Sequence, residues 1–309
     1  MAYLEPQVDG PAEPLGVALE RLLPAAQDDP HFDLTFVRYK PLRPLEGKLK
    51  AENLLWHSLR EAGLLEQWRE PLLAIQAGVG RGRTLWGVVD HPSRRGWELR
   101  LLRREAEAEP ELIAELRRTL APWLGFCPEL AELPSELADY QVLGLRFDAQ
   151  TFARGIIDTV ELHRRGPNPR EMTVTSLDPG AAAAPRTYAV FETKREIDEV
   201  LPRLRASAVV DLVAHKRLLG QVLIPELFAC RRLHISAGAE LDTLVFSGVN
   251  VEQLLWFVRR FGFPEATAAL LDTHREGFEQ LLFDVQLSYR FDPERGTIEQ
   301  LGAGYYGVF

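Results

Sequence analysis

Cysteine and long apolar runs are scarce in this sequence of 309 residues. The two cysteines, Cys127 and Cys230, lie far apart and form no C-x-x-C motif, which excludes a disulfide framework and a cysteine zinc site and fits a reducing compartment. No apolar run is long enough for a membrane helix. The first residues, MAYLEPQVDGPAEP, are acidic where a signal peptide is basic and then apolar. We therefore expect a cytoplasmic protein.

An excess of positive charge is also missing. Lysine and arginine number 36 against 45 acidic residues, so the net charge is −9. This balance argues against a nucleic-acid partner. Hydrophobic residues make up 46% of the chain, which is ordinary for a globular protein with a full core. We expect a monomer with no nucleic-acid partner and no membrane partner.

Short β-type runs recur along the chain and are separated in pairs by turns rich in proline and glycine. The runs are FDLTFVRYKP (32–41), TLWGVVD, WELRLLR, QVLGLRFD, IIDTVELHRR, EMTVTSLD, RTYAVFETK, RRLHISAG, DTLVFSGV, FDVQLSYRF and TIEQLGAGYYGVF. Pairs of this kind form hairpins and therefore antiparallel sheet. Helical segments lie between them, which is not the alternation of a Rossmann fold or a TIM barrel.

Helical periodicity fills the gaps between several hairpins. AENLLWHSLREAGLLEQW is predicted as one amphipathic helix, and PELIAELRRTLAPWL as another that opens at Pro110. A helical stretch is predicted from Arg195 to Leu223. Asn250 is a predicted N-cap, and Pro264 starts a helix that ends near Leu282.

Together these patterns predict an α+β fold, a closed antiparallel β-barrel of about ten strands surrounded by α-helices. Closure removes the exposed edges of a long antiparallel sheet, and a barrel of this size has a lumen that can hold a ligand. We expect one barrel domain over residues 1–309. Residues 1–30, rich in proline, are predicted to be irregular around a short helix from Leu15 to Leu23.

Polar side chains recur along many strands, mostly at alternate positions. They are Glu98, Arg100, Glu161, His163, Arg186, Tyr188, Glu192, Arg232, His234, Ser236, Gln286, Ser288, Arg290, Tyr305 and Tyr306. One interpretation is a half-solvated sheet whose outer face is wet. The other is a polar lumen lined by arginine, histidine and tyrosine, which suits a phosphate or diphosphate ligand. Other catalytic motifs are missing from the sequence, including HExxH, GxSxG and the P-loop.

Several stretches resemble the ABBA prenyltransferases, also called PT barrels, and more narrowly the cyanobactin-type peptide prenyltransferases. FDLTFVRYKPLRPLEG is similar to an N-terminal segment of that family, and YQVLGLRFDAQTFARGIIDTVELHR to its central hairpin. LHISAGAELDTLVFSGVN resembles the hairpin before its last helices, and TIEQLGAGYYGVF its C-terminus. The resemblance spans most of the chain.

The resemblance implies an enzyme that transfers a C5 or C10 isoprenyl group from its diphosphate to a side chain of a ribosomal, often cyclic, peptide. It also implies Mg²⁺ as the cofactor, bound with the diphosphate. Basic residues hold the leaving group, aromatic faces shield an allylic cation, and the closed lumen excludes water. The residues that we expect to bind the diphosphate at one mouth of the barrel are Arg100, His163, Arg232, Arg290, Tyr188, Tyr305 and Tyr306.

The chain departs from the family at the catalytic glutamate of the first hairpin, where Trp86 or Gly87 stands. We predict that Asp158, Glu161 and Glu192 supply the catalytic carboxylates instead. Carboxylates hold a cationic acceptor and take its proton, so arginine or histidine is expected to be preferred over tyrosine or tryptophan. In the alternative interpretation these acids lie outside and pair with helix arginines. An ABBA enzyme of small aromatic compounds and a non-catalytic barrel that binds an amphipathic small molecule are the rival functions.

Overall fold

The structure is a computed structural model that describes residues 22–80, 82–91, 94–103, 109–126, 139–166, 168, 170–178, 185–205, 220–236, 241–292 and 294–309. The helix predicted from Leu15 to Leu23 falls mainly outside these residues. Within them, none of the helices has the length and apolarity that crossing a membrane requires.

Ten strands form a closed antiparallel barrel, as the hairpin pattern predicted. They are β1 (Thr84–His91), β2 (Arg94–Leu102), β4 (Val142–Asp148), β6 (Thr159–Arg165), β7 (Glu171–Leu177), β8 (Arg186–Glu192), β9 (Arg232–Ser236), β10 (Asp242–Val249), β11 (Phe283–Asp292) and β12 (Thr297–Val308). Two short parallel strands, β3 (Gly125–Phe126) and β5 (Ile156–Ile157), stand apart. Neighbours in sequence are neighbours in the barrel, and β1 pairs with β12 to close it.

Helices join the strands and supply apolar faces that pack on the barrel. They are α1 (Glu52–Glu61), α2 (Leu65–Val79), α3 (Glu109–Leu120), α4 (Thr151–Arg154), α5 (Ile197–Arg205), α6 (Val251–Arg260), α7 (Glu265–Thr273) and α8 (Arg275–Phe278), with a 3₁₀ turn at Pro225–Leu227. Asn250 caps α6 as predicted, since its side chain accepts a hydrogen bond from Gln253 N–H and the Gln253 side chain returns one.

Two predicted helices are shorter than the periodicity indicated. The stretch AENLLWHSLREAGLLEQW breaks between α1 and α2, where Gly63 takes a positive φ of 71° that ends the first helix. The helix predicted from Pro264 to Leu282 is interrupted at His274 and continues as α8. Of the stretch from Arg195 to Leu223, α5 is confirmed, and residues 206–219 lie outside the described residues.

Alternation along the strands separates two apolar clusters. The larger cluster, between barrel and helices, includes Trp86, Leu99 and Phe246. The smaller cluster lies in the lumen and includes Leu85, Val174 and Val245. Successive strand side chains point to opposite faces, so an apolar outward face leaves the intervening polar residues facing inward. The interpretation of a polar lumen is therefore the one that the fold supports for most of these strands.

The prediction of a first strand at residues 32–41 is wrong. Phe32 instead pairs with Arg38 in a tight hairpin over residues 31–39, with Phe36 at a positive φ of 58°. The Asp33 carboxylate causes the reversal, because its Oδ1 accepts the N–H groups of Thr35 (3.0 Å) and Val37 (3.2 Å) and so folds the chain back on itself. We call residues 31–39 the inserted hairpin.

Candidate functional site

Glu98, on β2, is a buried carboxylate held by three other lumen side chains. Its Oε1 accepts a hydrogen bond from Arg146 Nε at 2.8 Å, and its Oε2 accepts one from Arg100 Nη2 at 3.2 Å. The Tyr306 hydroxyl donates to the same Oε2 at 3.1 Å. Burial by itself would raise the pKa of Glu98, but the guanidinium groups of Arg146 and Arg100 outweigh it and lower that pKa. Glu98 is therefore ionised at neutral pH.

Glu161, on β6, is the second buried carboxylate of the lumen. Its Oε1 lies 3.1 Å from Arg146 Nη2 and 2.9 Å from Arg186 Nη2, and its Oε2 lies 3.6 Å from His163 Nε2. Burial opposes ionisation, yet Arg146, His163 and Arg186 together hold the pKa of Glu161 well below its usual range. Arg146 thus links the two glutamates in one network.

This network carries more positive than negative charge. The guanidinium groups of Arg100, Arg146 and Arg186 face the two carboxylates of Glu98 and Glu161, which leaves one cation in excess. A closed, low-dielectric lumen with such an excess favours an anion.

Two aromatic side chains border the network. The Arg100 guanidinium lies over the Tyr306 ring, 4.7 Å from its centre, which is a cation–π distance. Tyr188 belongs to the same lumen cluster as Tyr306. Burial, and after it the charge of Glu98, raises the pKa of Tyr306 well above its usual value, so the hydroxyl stays neutral. The site therefore offers aromatic faces next to guanidinium groups.

Two buried histidines face the lumen beside this network. Neither ring nitrogen of His234, on β9, has a hydrogen-bond partner among the described residues, whereas Nε2 of His163 lies 3.6 Å from Glu161 Oε2. Burial lowers the pKa of both, that of His234 to about 4. Both are therefore neutral imidazoles at pH 7. The ring nitrogens of His234 are left for a ligand, since a buried polar group without a partner is costly.

A cavity of about 260 Å³ opens at the end of the barrel where β4 ends and β6 begins. Glu98 and Arg146 line it, so it reaches the lumen network. Asp148, Arg154 and Asp158 line its outer part, and the Arg154 guanidinium lies between the two aspartates, at 3.3 Å from Asp148 Oδ1 and 3.0 Å from Asp158 Oδ2. We call this opening the acidic mouth.

The structure brings together four of the seven predicted diphosphate-binding residues, Arg100, His163, Tyr188 and Tyr306. Arg232 also starts an inward-facing row, but at the opposite end from the acidic mouth, where it pairs with Asp33 of the inserted hairpin at 3.0 Å.

The other two predicted diphosphate-binding residues lie apart from this group. Arg290 is exposed and pairs with Glu299 on β12. Tyr305 lies outside the lumen against Trp86 and Phe263, because it precedes the inward-facing Tyr306 and strand neighbours point to opposite faces.

The three predicted carboxylates lie at three separate places. Asp158 is in the acidic mouth and pairs with Arg154. Glu161 is deep in the lumen network. Glu192 ends β8 at the opposite end of the barrel, is half exposed and pairs with Arg195. Only the first two therefore adjoin the polar lumen.

Within the lumen network, sequence reasoning missed Arg146 and gave Glu98 and Arg186 only as polar positions on strands. It also missed Asp148 and Arg154 of the acidic mouth. The signal for Arg146 was its place as the one basic residue in VLGLRFD, two positions from the inward-facing Gly144. Glu98 lies directly across from Gly87. The first hairpin therefore does present an inward glutamate, on its second strand.

The described part of the chain contains no group of three or more His, Cys, Asp or Glu side chains arranged to hold a metal ion. Glu98 and Glu161 are engaged by arginines, so these residues do not form a dedicated Mg²⁺ site.

No model of a known protein family matches the sequence, and no curated protein matches it either. The class of protein is thus defined by fold and site alone. It is a closed barrel of ten antiparallel strands, covered outside by helices, with a charged and aromatic lumen.

Proposed function

We propose that this protein is a peptide prenyltransferase, which moves a C5 or C10 isoprenyl group from its diphosphate to an arginine or histidine side chain of a ribosomal, cyclic peptide. The observation that carries the proposal is the excess of guanidinium groups beside two tyrosines inside a closed barrel. An allylic diphosphate needs cations for its leaving group, aromatic faces for its cation and protection from water.

When the donor binds, its diphosphate replaces the glutamate carboxylates as the partner of the lumen arginines. Arg100 and Arg146 each contact Glu98, and guanidinium groups bind phosphate oxygens with the same fork geometry as carboxylates. His163 and His234 add neutral imidazoles to that site. Mg²⁺ is proposed to arrive with the diphosphate, whose oxygens are the hard ligands it prefers.

The acceptor enters through the acidic mouth. Asp148 and Asp158 already hold one guanidinium, that of Arg154, which an acceptor arginine replaces. Glu98 lines this mouth and loses its arginines to the diphosphate, so its basicity rises when the donor is bound.

The transfer itself breaks one bond and forms another. The bond between C1 of the isoprenyl group and the diphosphate oxygen breaks with its electron pair on the diphosphate. A bond from C1 to the acceptor nitrogen forms, and the proton of that nitrogen passes to Glu98.

The proposal is tested with dimethylallyl and geranyl diphosphates, Mg²⁺ and one cyclic peptide made in Arg, His, Tyr and Trp versions. Mass spectrometry should show isoprene additions on the Arg or His version first. Preferential addition to the Tyr or Trp version would contradict the acceptor assignment. Turnover of free phenols or indoles alone would support an enzyme of small aromatic compounds, and binding without turnover a non-catalytic barrel.

The role of Glu98 is tested with Glu98→Gln, which keeps the shape of the side chain and removes the charge. We expect turnover to fall by roughly 10²–10⁴-fold, the usual contribution of a general base, while the donor still binds. Glu192→Gln is the matched control, because Glu192 lies at the other end of the barrel and pairs with Arg195. Equal turnover in the two variants would remove Glu98 from the mechanism.

A further inference from the structure

Arg154 is the last residue of α4, in the connection that joins the end of β4 to the start of β6. Its guanidinium pairs with an aspartate near each end of this connection: Nη2 lies 3.3 Å from Asp148 Oδ1, and Nε lies 3.0 Å from Asp158 Oδ2. All three residues line the acidic mouth. The Arg154 side chain therefore occupies the outer part of the cavity that leads to Glu98 and Arg146.

Hydrogen bonds that do not involve Arg154 also hold both carboxylates. Asp148 Oδ1 accepts the N–H of Gln150 at 2.9 Å and the hydroxyl of Thr151 at 3.2 Å, which is a local turn closed by an aspartate side chain. Asp158 Oδ1 accepts the hydroxyl of Thr159 at 3.2 Å, while the other oxygen of this carboxylate meets Arg154. The two carboxylates are therefore positioned for a cation even when the Arg154 side chain turns away.

The Arg154 side chain is exposed enough to leave this position. It is 38% exposed, and the Asp158 side chain is 30% exposed. Ion pairs in contact with water contribute little, because water screens the charges and replaces the lost hydrogen bonds. A second guanidinium that takes the place of Arg154 restores the same two contacts, since its donors have the same fixed fork geometry. The exchange of one guanidinium for another therefore costs little.

The charge of the acidic mouth depends on where the Arg154 side chain points. Six charged residues among those described line the mouth: Glu98, Asp148, Asp158, Asp178, Arg146 and Arg154. Four carboxylates thus face two guanidinium groups, and they face only one when Arg154 turns to solvent. A mouth without the Arg154 guanidinium attracts a cationic ligand more strongly than a mouth that contains it.

We propose that Arg154 is an internal competitor of the acceptor: its guanidinium occupies the pair Asp148 and Asp158 at rest, and the guanidinium of the acceptor must displace it. This rests on the proposed function, which supplies an arginine side chain of a peptide as the ligand. The contact is autoinhibitory, because each acceptor that enters the mouth must first break the two ion pairs of Arg154. Arg154 thereby lowers the affinity of the mouth for its acceptor.

The test is binding of the Arg version of the cyclic peptide to the full chain without donor, measured by calorimetry for the wild type, Arg154→Met and Arg154→Lys. Arg154→Met should bind the peptide roughly 2- to 30-fold more tightly, because two partly exposed ion pairs no longer have to be broken. Arg154→Lys should show a smaller gain, since an ammonium group keeps the charge but lacks the fork of donors. Arg195→Met is the matched control, because it removes the same charge from an exposed pair with Glu192 at the opposite end of the barrel. Its affinity should equal that of the wild type.

Equal or weaker binding by Arg154→Met, with a urea midpoint like that of the wild type, would overturn the inference, since Arg154 would then only brace the connection from β4 to β6. An equal gain in Arg195→Met would also overturn it, because net charge alone would explain the gain. Arg154→Lys keeps the test decisive should Arg154→Met fail to fold.

Turnover measurements separate this inference from the proposed function. Tighter binding by Arg154→Met, with no isoprene transfer by any form, would support the competitor and overturn the transferase. Transfer to the Arg version with the same KM in Arg154→Met and the wild type would overturn the competitor alone. Failure of every form to bind the peptide would overturn both.

Discussion

Replacing Arg146 with methionine should destabilise the protein because it removes a side chain that contacts both Glu98 and Glu161. Arg146 Nε bonds to Glu98 at 2.8 Å and Arg146 Nη2 lies 3.1 Å from Glu161. Methionine keeps an apolar stem of similar length but offers neither charge nor donor. Glu98 then still contacts Arg100, and Glu161 still contacts Arg186, so each carboxylate loses part of the positive charge that offsets its burial.

The expected cost follows from the position of Arg146 at the acidic mouth. Removing one partner of a buried ion pair costs about 3–5 kcal/mol. The Arg146 side chain is 32% exposed, so water screens part of the interaction and we expect a value near the lower limit, about 3 kcal/mol.

The loss depends on pH with a definite sign. In the wild type the folded-state pKa values of Glu98 and Glu161 are lowered, so the pairs stabilise the fold above the unfolded value of about 4.3 and lose that effect as the pH falls through the folded values. The variant lacks this advantage. The difference in stability between wild type and variant is therefore largest near neutral pH and narrows in acid.

Urea denaturation followed by the fluorescence of the six tryptophans measures this difference at about pH 7.5 and at about pH 3, below the unfolded pKa of glutamate. Arg259→Met is the control, because Arg259 is half exposed and pairs with Asp272 on the surface. An exposed pair of that kind contributes little. The reasoning is refuted by a loss no larger than that of the control, or by a gap of constant size at the two pH values.

Two further substitutions test the packing and the titration of the lumen. Gly87→Ala places a Cβ against the Tyr306 ring, so we expect a loss of about 1–3 kcal/mol in urea denaturation, whereas an unchanged midpoint would show that the ring moves freely. Burial and Asp33 raise the folded-state pKa of Asp284 to about 7, above its unfolded value of about 3.9, so stability should fall as pH rises between these values and level off above them. In Asp284→Asn this dependence of stability on pH should be much smaller. If the urea midpoint changed by the same amount between about pH 5 and about pH 8 in wild type and variant, the raised pKa of Asp284 would be contradicted.

Much of the barrel could be predicted from local patterns. Alternation in WELRLLR and VELHRR predicted strands whose polar side chains share one face, and the pairing of β1 with β2 follows from the turn between them. The cap at Asn250 also needed only local information. These features depend on contacts between residues close in sequence, which is why a pattern reveals them.

The inserted hairpin could not be predicted in the same way. The run FDLTFVRYKP alternates well enough for a strand, but Asp33 bonds to the backbone of Thr35 and Val37 and pairs with Arg232, 199 positions away. Phe32 and Leu34 are also buried in a lumen that other strands form, and this burial favours the hairpin over an extended strand. Long-range contacts overrode the local preference.

The sequence by itself determined which residues alternate on each strand, and hence that Tyr305 and Tyr306 face opposite ways. Only the tertiary structure decided which of them faces inward, because that depends on the closing register of β1 with β12 and on Trp86 and Phe263 packing against Tyr305 outside. The pairing of β4 between β2 and β6 brings Arg146 between Glu98 and Glu161, on three different strands. Such a charge network has no local signature, since a shift of one residue in register would turn each of its side chains to the other face.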